Sequence, residues 1–257
     1  NGVNGYRIQK QMSSAIDTTL SAIVSSECLM SGLLTAGDID VTALTSAVHG
    51  YKLSSTSSIR ACLEPLQATW PFDVVSHGYK IQFKVRGGSS VATIPQEDQV
   101  VLPTKSREMD SQLPRRVIVK YLNIGREYEV GSQYAERLNT AALNVSTIDL
   151  AVVLNDTEAA GKAEVLLYLA WLERNDISFT VPMTYNNLEA GDVVTLVTPE
   201  GNISLRLTEV NNTSDNTVEC KAKYNSSAIY TPTAVGSTPV TTGQTTIVPV
   251  GASVYSI

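Results

Sequence analysis

Asn155-Asp-Thr-Glu158 opens a segment that closes on Val165-Leu-Leu-Tyr-Leu-Ala-Trp-Leu172, and the fold turns on how that segment is read. Asn155 is a good N-cap and Glu158 stands three residues on, the reciprocal arrangement of a capping box. The eight residues from Val165 to Leu172 are apolar without a break. A helix of that kind is covered on most sides rather than along one stripe. The pattern predicts one buried helix over about 157–174, seated between a sheet and a second surface. β-type stretches flank it. Val117, Val119 and Tyr121 alternate before it, as do Ile148, Leu150 and Val152. After it come four strands of an expected antiparallel meander: Ile177 to Tyr185, Asp192 to Val197, Ile203 to Leu207, and Val218 to Tyr224. Pro182 confines the first of these to an edge or a bulge, since proline cannot donate to a ladder.

Upstream, helix and strand signals mix. Met12, Ile16, Leu20, Ile23 and Val24 recur at helical spacing, predicting a helix over about 11–30 that Gly32 or Gly37 ends. Tyr51 to Ser54 is a candidate short strand. Ile59, Cys62, Leu63 and Leu66 mark a second helix, which Pro65 should kink or shorten. Tyr79, Ile81, Phe83 and Val85 alternate with polar partners as one arm of a hairpin turning at His77-Gly78. The polar connection over 87–114 is long enough to hide short edge strands. The expectation is an α+β fold. A small mixed α/β domain (1–90) precedes an antiparallel β-barrel-like domain (91–230) carrying the buried helix. An extended tail (231–257) follows, because the last 34 residues hold no charge.

Composition narrows the function. Of 257 residues 43% are hydrophobic and 17% charged, the latter against about 25% in ordinary domains. Ser and Thr, 26 of each, fill the difference and suit β-structure. The net charge of −6 argues against a protein that grips nucleic acid by neutralising phosphates. No apolar run approaches a membrane span, and no basic-then-apolar leader opens the chain. The start at Asn1-Gly2-Val3, without methionine, suggests a fragment or a processed form.

Chemistry-bearing residues are few. Cys28, Cys62 and Cys220 are odd in number and lack metal-site spacing, so neither a disulfide framework nor a zinc site is expected. No nucleophile elbow, phosphate loop or dinucleotide fingerprint occurs. His49 and His77 are the only histidines, each beside a glycine in turn-like sequence; either could act as a base, but ordinary turn chemistry accounts for both. Asp38 and Asp40 form an acidic pair that glycosidase or metal chemistry could use, or solvated turns could carry. Lys80, Lys84 and Arg86 lie on one face of the hairpin, as a phosphate track or, more simply, its solvent face. Six Asn-x-Ser/Thr sequons, at Asn144, Asn155, Asn202, Asn211, Asn212 and Asn225, are explained by composition. No catalytic, cofactor-binding or metal-ligating residue is assigned.

The wording of the sequence goes further than its periodicity. Pro114-Arg-Arg-Val-Ile-Val-Lys-Tyr121-Leu-Asn-Ile-Gly-Arg126-Glu-Tyr128-Glu-Val-Gly131 resembles the strand-and-turn motif of the putative phage tail protein family. That family includes the baseplate hub of gene transfer agents and long-tailed phages. The similarity continues through Asp149-Leu-Ala-Val-Val-Leu154, the helix to Ala170-Trp171-Leu-Glu-Arg174, Ile177-Ser-Phe-Thr-Val-Pro182 and Leu188-Glu-Ala-Gly191-Asp192. Upstream, Ile59-Arg-Ala-Cys-Leu-Glu-Pro-Leu66 and Phe72-Asp-Val-Val fit its preceding segment, so coverage is about 38–200. Asn123 stands where the family usually has Asp, and Glu129-Val130 where Gln-Pro is common.

The resemblance implies a structural role in the virion tail tip, assembled in the bacterial cytoplasm. Hub proteins of this kind form a ring, usually a trimer, that continues the tail channel for genome ejection. Their partners are copies of themselves, the distal tail protein and the tape measure, with duplex DNA only in transit. Pro114, Tyr121, Arg126, Tyr128, Gly131, Trp171, Gly191 and Asp192 carry the motif as structural residues. The competing reading is a cell-wall hydrolase module, for which Asp38 and Asp40 are the candidates.

Overall fold

The computed structural model describes residues 17–52 and 58–237. The first elements are short: β1 (Thr18–Thr19), α1 (Leu20–Leu29), β2 (Ile39–Asp40) and β3 (Ala47–Val48). Thr19 caps α1 by accepting from the Ala22 amide at 3.3 Å. The expected earlier turns, with Met12 and Ile16, lie outside the described residues, as does the second half of the candidate strand at 51–54. Tyr51 itself forms an isolated bridge with Val152. Helix α2 (Ile59–Thr69) starts at Ser58 and runs through Pro65 without being cut short. It ends four residues later, where the Thr69 hydroxyl donates to the Pro65 carbonyl at 2.8 Å.

The expected hairpin is β4 (Phe72–His77) with β5 (Lys80–Val85), and β2 adds alongside β5 in parallel. The polar connection does hide edge strands, β6 (Ala92–Ile94) and β7 (Val101–Arg107). Next come β8 (Pro114–Asn123), β9 (Val130–Glu136) and β10 (Asn144–Leu154), which form a three-stranded sheet with β8 in the middle. β8 pairs antiparallel with β9 and parallel with β10.

Helix α3 (Asp156–Leu172) follows β10 directly, and Asn155 and Glu158 exchange both capping bonds, at 2.8 and 2.9 Å. Ala159, Ala163, Leu167 and Trp171, four apart along one stripe, enter the same apolar core as Val117, Val119 and Tyr121 of β8. α1, α2, β4 and β5 supply its other side through Leu20, Leu66, Phe72 and Phe83. The covering is nearly complete: Val165 and Leu169 are also buried, while Tyr168 reaches solvent. The helix thus seats between the β8 sheet and a second surface, as its apolar run predicts. The helix does not sit with the later strands; it shares its core with the N-terminal elements, because the chain from β10 turns back over β8.

The later strands make a second core. They are β11 (Asn175–Pro182), β12 (Val193–Thr198), β13 (Gly201–Asn212) and β14 (Thr217–Tyr224). The sheet order is β6-β12-β13-β14-β11-β7. Only β12, β13 and β14 form a meander; β11 lies beyond β14, opposing Phe179 to Cys220. β11 is therefore interior, and Pro182 is accommodated at its end. There it opposes Thr217 of β14, whereas the ladder with β7 has stopped at Thr180.

β6 and β7 are consecutive in the chain yet sit at opposite edges, joined by residues 95–100. A flat sheet would hold those edges about 24 Å apart at the usual strand spacing. A six-residue connector containing a helical turn, Gln96–Asp98, does not reach that far. The sheet is consequently rolled. Gln99 donates its side-chain amide to the Val197 carbonyl of β12 at 2.7 Å, and the Val100 amide donates to Thr180 of β11 at 2.9 Å. Ile94, Phe179, Leu196, Leu205, Leu207 and Cys220 fill the inside. No ladder joins β6 to β7 among the described residues, so the expected barrel is an open roll bridged by its connector.

Candidate functional site

The two cores meet at an ionic joint. Arg206 projects from β13 on the side opposite its neighbours Leu205 and Leu207, which enter the second core. Its guanidinium donates to Asp73 of β4 at 2.8 Å and to Glu173, the C-terminal residue capping α3, at 2.6 Å. Arg86, just beyond β5, donates to the same two carboxylates: twice to Asp73, at 2.8 and 3.0 Å, and to Glu173 at 3.3 Å. Two cations thus alternate with two anions, so every charge meets both opposite partners. Burial pulls the Arg86 pKa down, but Asp73 and Glu173 outweigh it and leave it raised. Lys223 adds a bond to the Glu173 carbonyl at 3.2 Å.

A second contact reinforces the first. Lys84 of β5 pairs with Asp192 at 2.8 Å and Glu189 at 3.4 Å, and His77 reaches Glu189 at 2.6 Å. A cavity of about 740 Å³ opens beside the joint, with Phe72, Phe83 and Leu63 on one wall and Arg206, Leu207 and Thr208 on the other. Tyr230 closes the joint from the chain's later part, its ring lying over Gly87 where a Cβ would stand 2.4 Å away. The solvent-face reading of Lys80, Lys84 and Arg86 is corrected by this geometry: Lys80 is exposed, but the second core covers Lys84 and Arg86. The joint was not foreseen from the sequence. Arg206 takes a regular polar position in the alternation of Ile203, Leu205 and Leu207, so nothing in its strand marks it as buried.

The other chemical candidates are dispersed. Asp38 accepts from the amide and hydroxyl of Thr35, and Asp40 from those of Thr42. These bonds hold both carboxyls below the usual carboxylate range. Neither is suited to donate a proton, and each is committed to its own turn. His49 is held between Asp17, at 2.7 Å, and Glu158, at 3.3 Å; the bond to Asp17 raises its pKa most, against some loss from burial. Cys28 and Cys220 are buried thiols pushed upward by that burial, Cys220 to about 11. Among the described residues no cluster of His, Cys, Asp or Glu could hold a metal ion, and no helix is long and apolar enough to cross a membrane.

The motif residues fall into four places. The Pro114 carbonyl accepts from Trp171 Nε1 at 2.9 Å, tying the start of β8 to the end of α3. Arg137 and Arg174 lie over the Trp171 ring at 4.4 and 5.2 Å. Tyr121 donates to Asp156, which also accepts from Asn123 at 2.7 Å; burial and that carboxylate push the phenol up to about 12. Gly131 opposes Tyr121, and a Cβ there would stand 2.8 Å from the ring. Arg126 and Tyr128 belong to the turn between β8 and β9, where Glu127 and Tyr128 both take left-handed backbone. Gly191 has φ of +85° beside Lys84, and Asp192 belongs to the joint itself.

Comparison with known proteins agrees with the wording of the sequence. The model of the family described as "Putative phage tail protein" matches residues 58–210, more than half of the chain. The chain belongs to this family. The match takes in the two faces of the joint, from Asp73 and Arg86 to Glu173 and Arg206. Among solved structures, a chain in the virion of a native gene transfer agent particle superposes with a TM-score of 0.80 at 23% identity. It covers 90% of this chain, and this chain spans 54% of its length. A tail protein from Neisseria meningitidis follows with a TM-score of 0.58 at 12% identity, covering 83% of this chain and 69% of its own. The 43 kDa tail protein of prophage MuSo2 from Shewanella oneidensis has a TM-score of 0.56 at 11% identity, with 83% and 67% covered. No curated protein matches the sequence.

Proposed function

We propose that this chain is a structural part of a phage or prophage tail tip, a baseplate hub whose copies form a ring, usually of three, continuing the tail channel. The observation that carries the reading is the fold shared over nine tenths of the chain with a component of a gene transfer agent virion. The architecture suits it. A rolled sheet offers a wall element with two free edges, β6 and β7, and β7 shows solvent two apolar side chains, Val101 and Leu102. The ionic joint sets the angle between that wall and the outer α/β core, which a ring must repeat at each subunit. In this reading the other copies, a distal tail protein and a tape measure are the partners, and DNA passes without being held.

The same reading makes the chain a non-enzyme. Asp38 and Asp40 support it: the hydrolase alternative needs a carboxyl kept protonated near neutral pH, and both are held the other way. Mass photometry and electron microscopy of the full-length protein test the ring, with a trimer of annular outline expected. A protein that stays monomeric at micromolar concentration, or antibody label found away from the tail tip of intact particles, would overturn the proposal.

A further inference from the structure

A second cavity, of about 280 Å³, lies along the N-terminal half of α3, away from the joint at Glu173. His49, Trp70, Glu158 and Lys162 line it, and Pro232 and Ala234 roof it. The roof is the described end of the chain. Glu164 holds it down by accepting from the Thr233 and Ala234 amides at 2.9 and 2.8 Å, and Pro232 packs on Gly161. Glu158 is occupied by His49 and by the capping bond to Asn155. That leaves the lysine. Among the described residues Lys162 Nζ makes no hydrogen bond or ion pair; it stands 5.2 Å over the Trp70 ring.

We propose that Lys162 is a covalent modification site, a reactive amine that small acyl donors reach through this cavity ahead of the chain's surface lysines. The geometry supplies what acylation requires. The amine stands over an indole in a cavity lined largely by carbon, so its charged form is poorly solvated, yet the cavity opens to solvent. The charged and titratable groups around it are Glu158 on its own helix, His49 after β3, and Asp17 behind His49; α2 and the roof contribute none. Burial lowers the Lys162 pKa to about 8, partly countered by Glu158. At neutral pH the uncharged fraction is then roughly 200-fold larger than for a lysine at its ordinary value. In the reaction the Nζ lone pair forms a bond to the acyl carbon and the donor's leaving group departs with its electron pair. The proton lost from nitrogen goes to solvent.

Competitive labelling of the folded full-length protein with trace acetic anhydride, read by mass spectrometry across pH 6.5–9.5, tests the site. Lys162 should be labelled about tenfold faster at pH 7 than the exposed Lys52 and Lys120, with a midpoint near 8. Labelling no faster than those two, or a midpoint above the range scanned, would overturn the proposal. Glu158→Gln keeps an acceptor for the Asn155 amide and removes the nearest negative charge, so the midpoint should fall. A midpoint unmoved or raised in that variant would also count against it.

Discussion

Arg206 and Asp73 lie 133 positions apart in the chain and meet at 2.8 Å, joining a strand of the rolled sheet to the hairpin of the other core. The arginine side chain is only 7% exposed. Its charge is therefore tolerable only while both carboxylates face it.

Arg206→Ala should cost about 3–5 kcal/mol, because Asp73 and Glu173 are left largely buried with Arg86 alone to neutralise them. Urea unfolding checks this. The wild type should unfold with its two cores coupled, and the variant should show the rolled sheet and the α/β core separating into two transitions. A single transition at wild-type stability would contradict the role given to the joint.

Gly131→Ala should destabilise the β8–β9 pair by about 1–3 kcal/mol, since the new methyl would overlap the Tyr121 ring in a packed core. The tyrosine cannot yield without breaking its bond to Asp156. Thermal melts of the single variant and of Gly131→Ala with Tyr121→Phe would show whether the clash or the lost glycine dominates.

His49 gives the stability a definite pH dependence. Its folded pKa is raised above the unfolded value of about 6.5, so the protonated form is favoured by folding. Its stabilising contribution is complete below that unfolded value and is lost as pH rises through the folded one. His49→Gln should therefore fall short of wild type at pH 5.5 and draw level with it at alkaline pH. Asp38 and Asp40 run the other way: their pKa values are lowered, so what they contribute is lost as pH falls through the acidic range.

The channel reading predicts indifference to DNA. From Val181 onward the chain has three basic residues, Arg206, Lys221 and Lys223, against six acidic ones. Arg206 and Lys221 are bonded to carboxylates, and Lys223 lies 3.6 Å from Asp176. Filter binding in about 50 mM salt should detect no retention of duplex DNA, whereas micromolar affinity would refute a non-stick wall.

Much of this was legible in local sequence. The capping box at Asn155 and Glu158, the hairpin around Gly78, and the proline at the end of β11 are short-range facts that a few residues decide. Pairing order was not legible. Nothing within Ile177 to Pro182 says that β11 lies beyond β14 and beside β7, because the ladder partners are set by how the roll closes. The same holds for Lys84 and Arg86. Alternation correctly put them on the face opposite Phe83, but not what stood there, and the second core supplies carboxylates instead of water. The second surface over the helix was not legible for a related reason: an all-apolar run states that it is covered without naming the cover.

The ionic joint also bears on synthesis at the ribosome. The α/β core is complete once Trp171 has emerged, while Arg206 follows 35 residues later, a delay of roughly 2–7 s at ordinary elongation rates. During that interval the nascent chain presents Asp73 and Glu173 to water with Arg86 between them. The half-made molecule then sets these charges beside Leu63, Phe72 and Phe83, so that its open face is not one continuous apolar patch. Had the same contact been built from leucines, each unfinished chain on a polysome would have carried a patch ready to adhere to its neighbour.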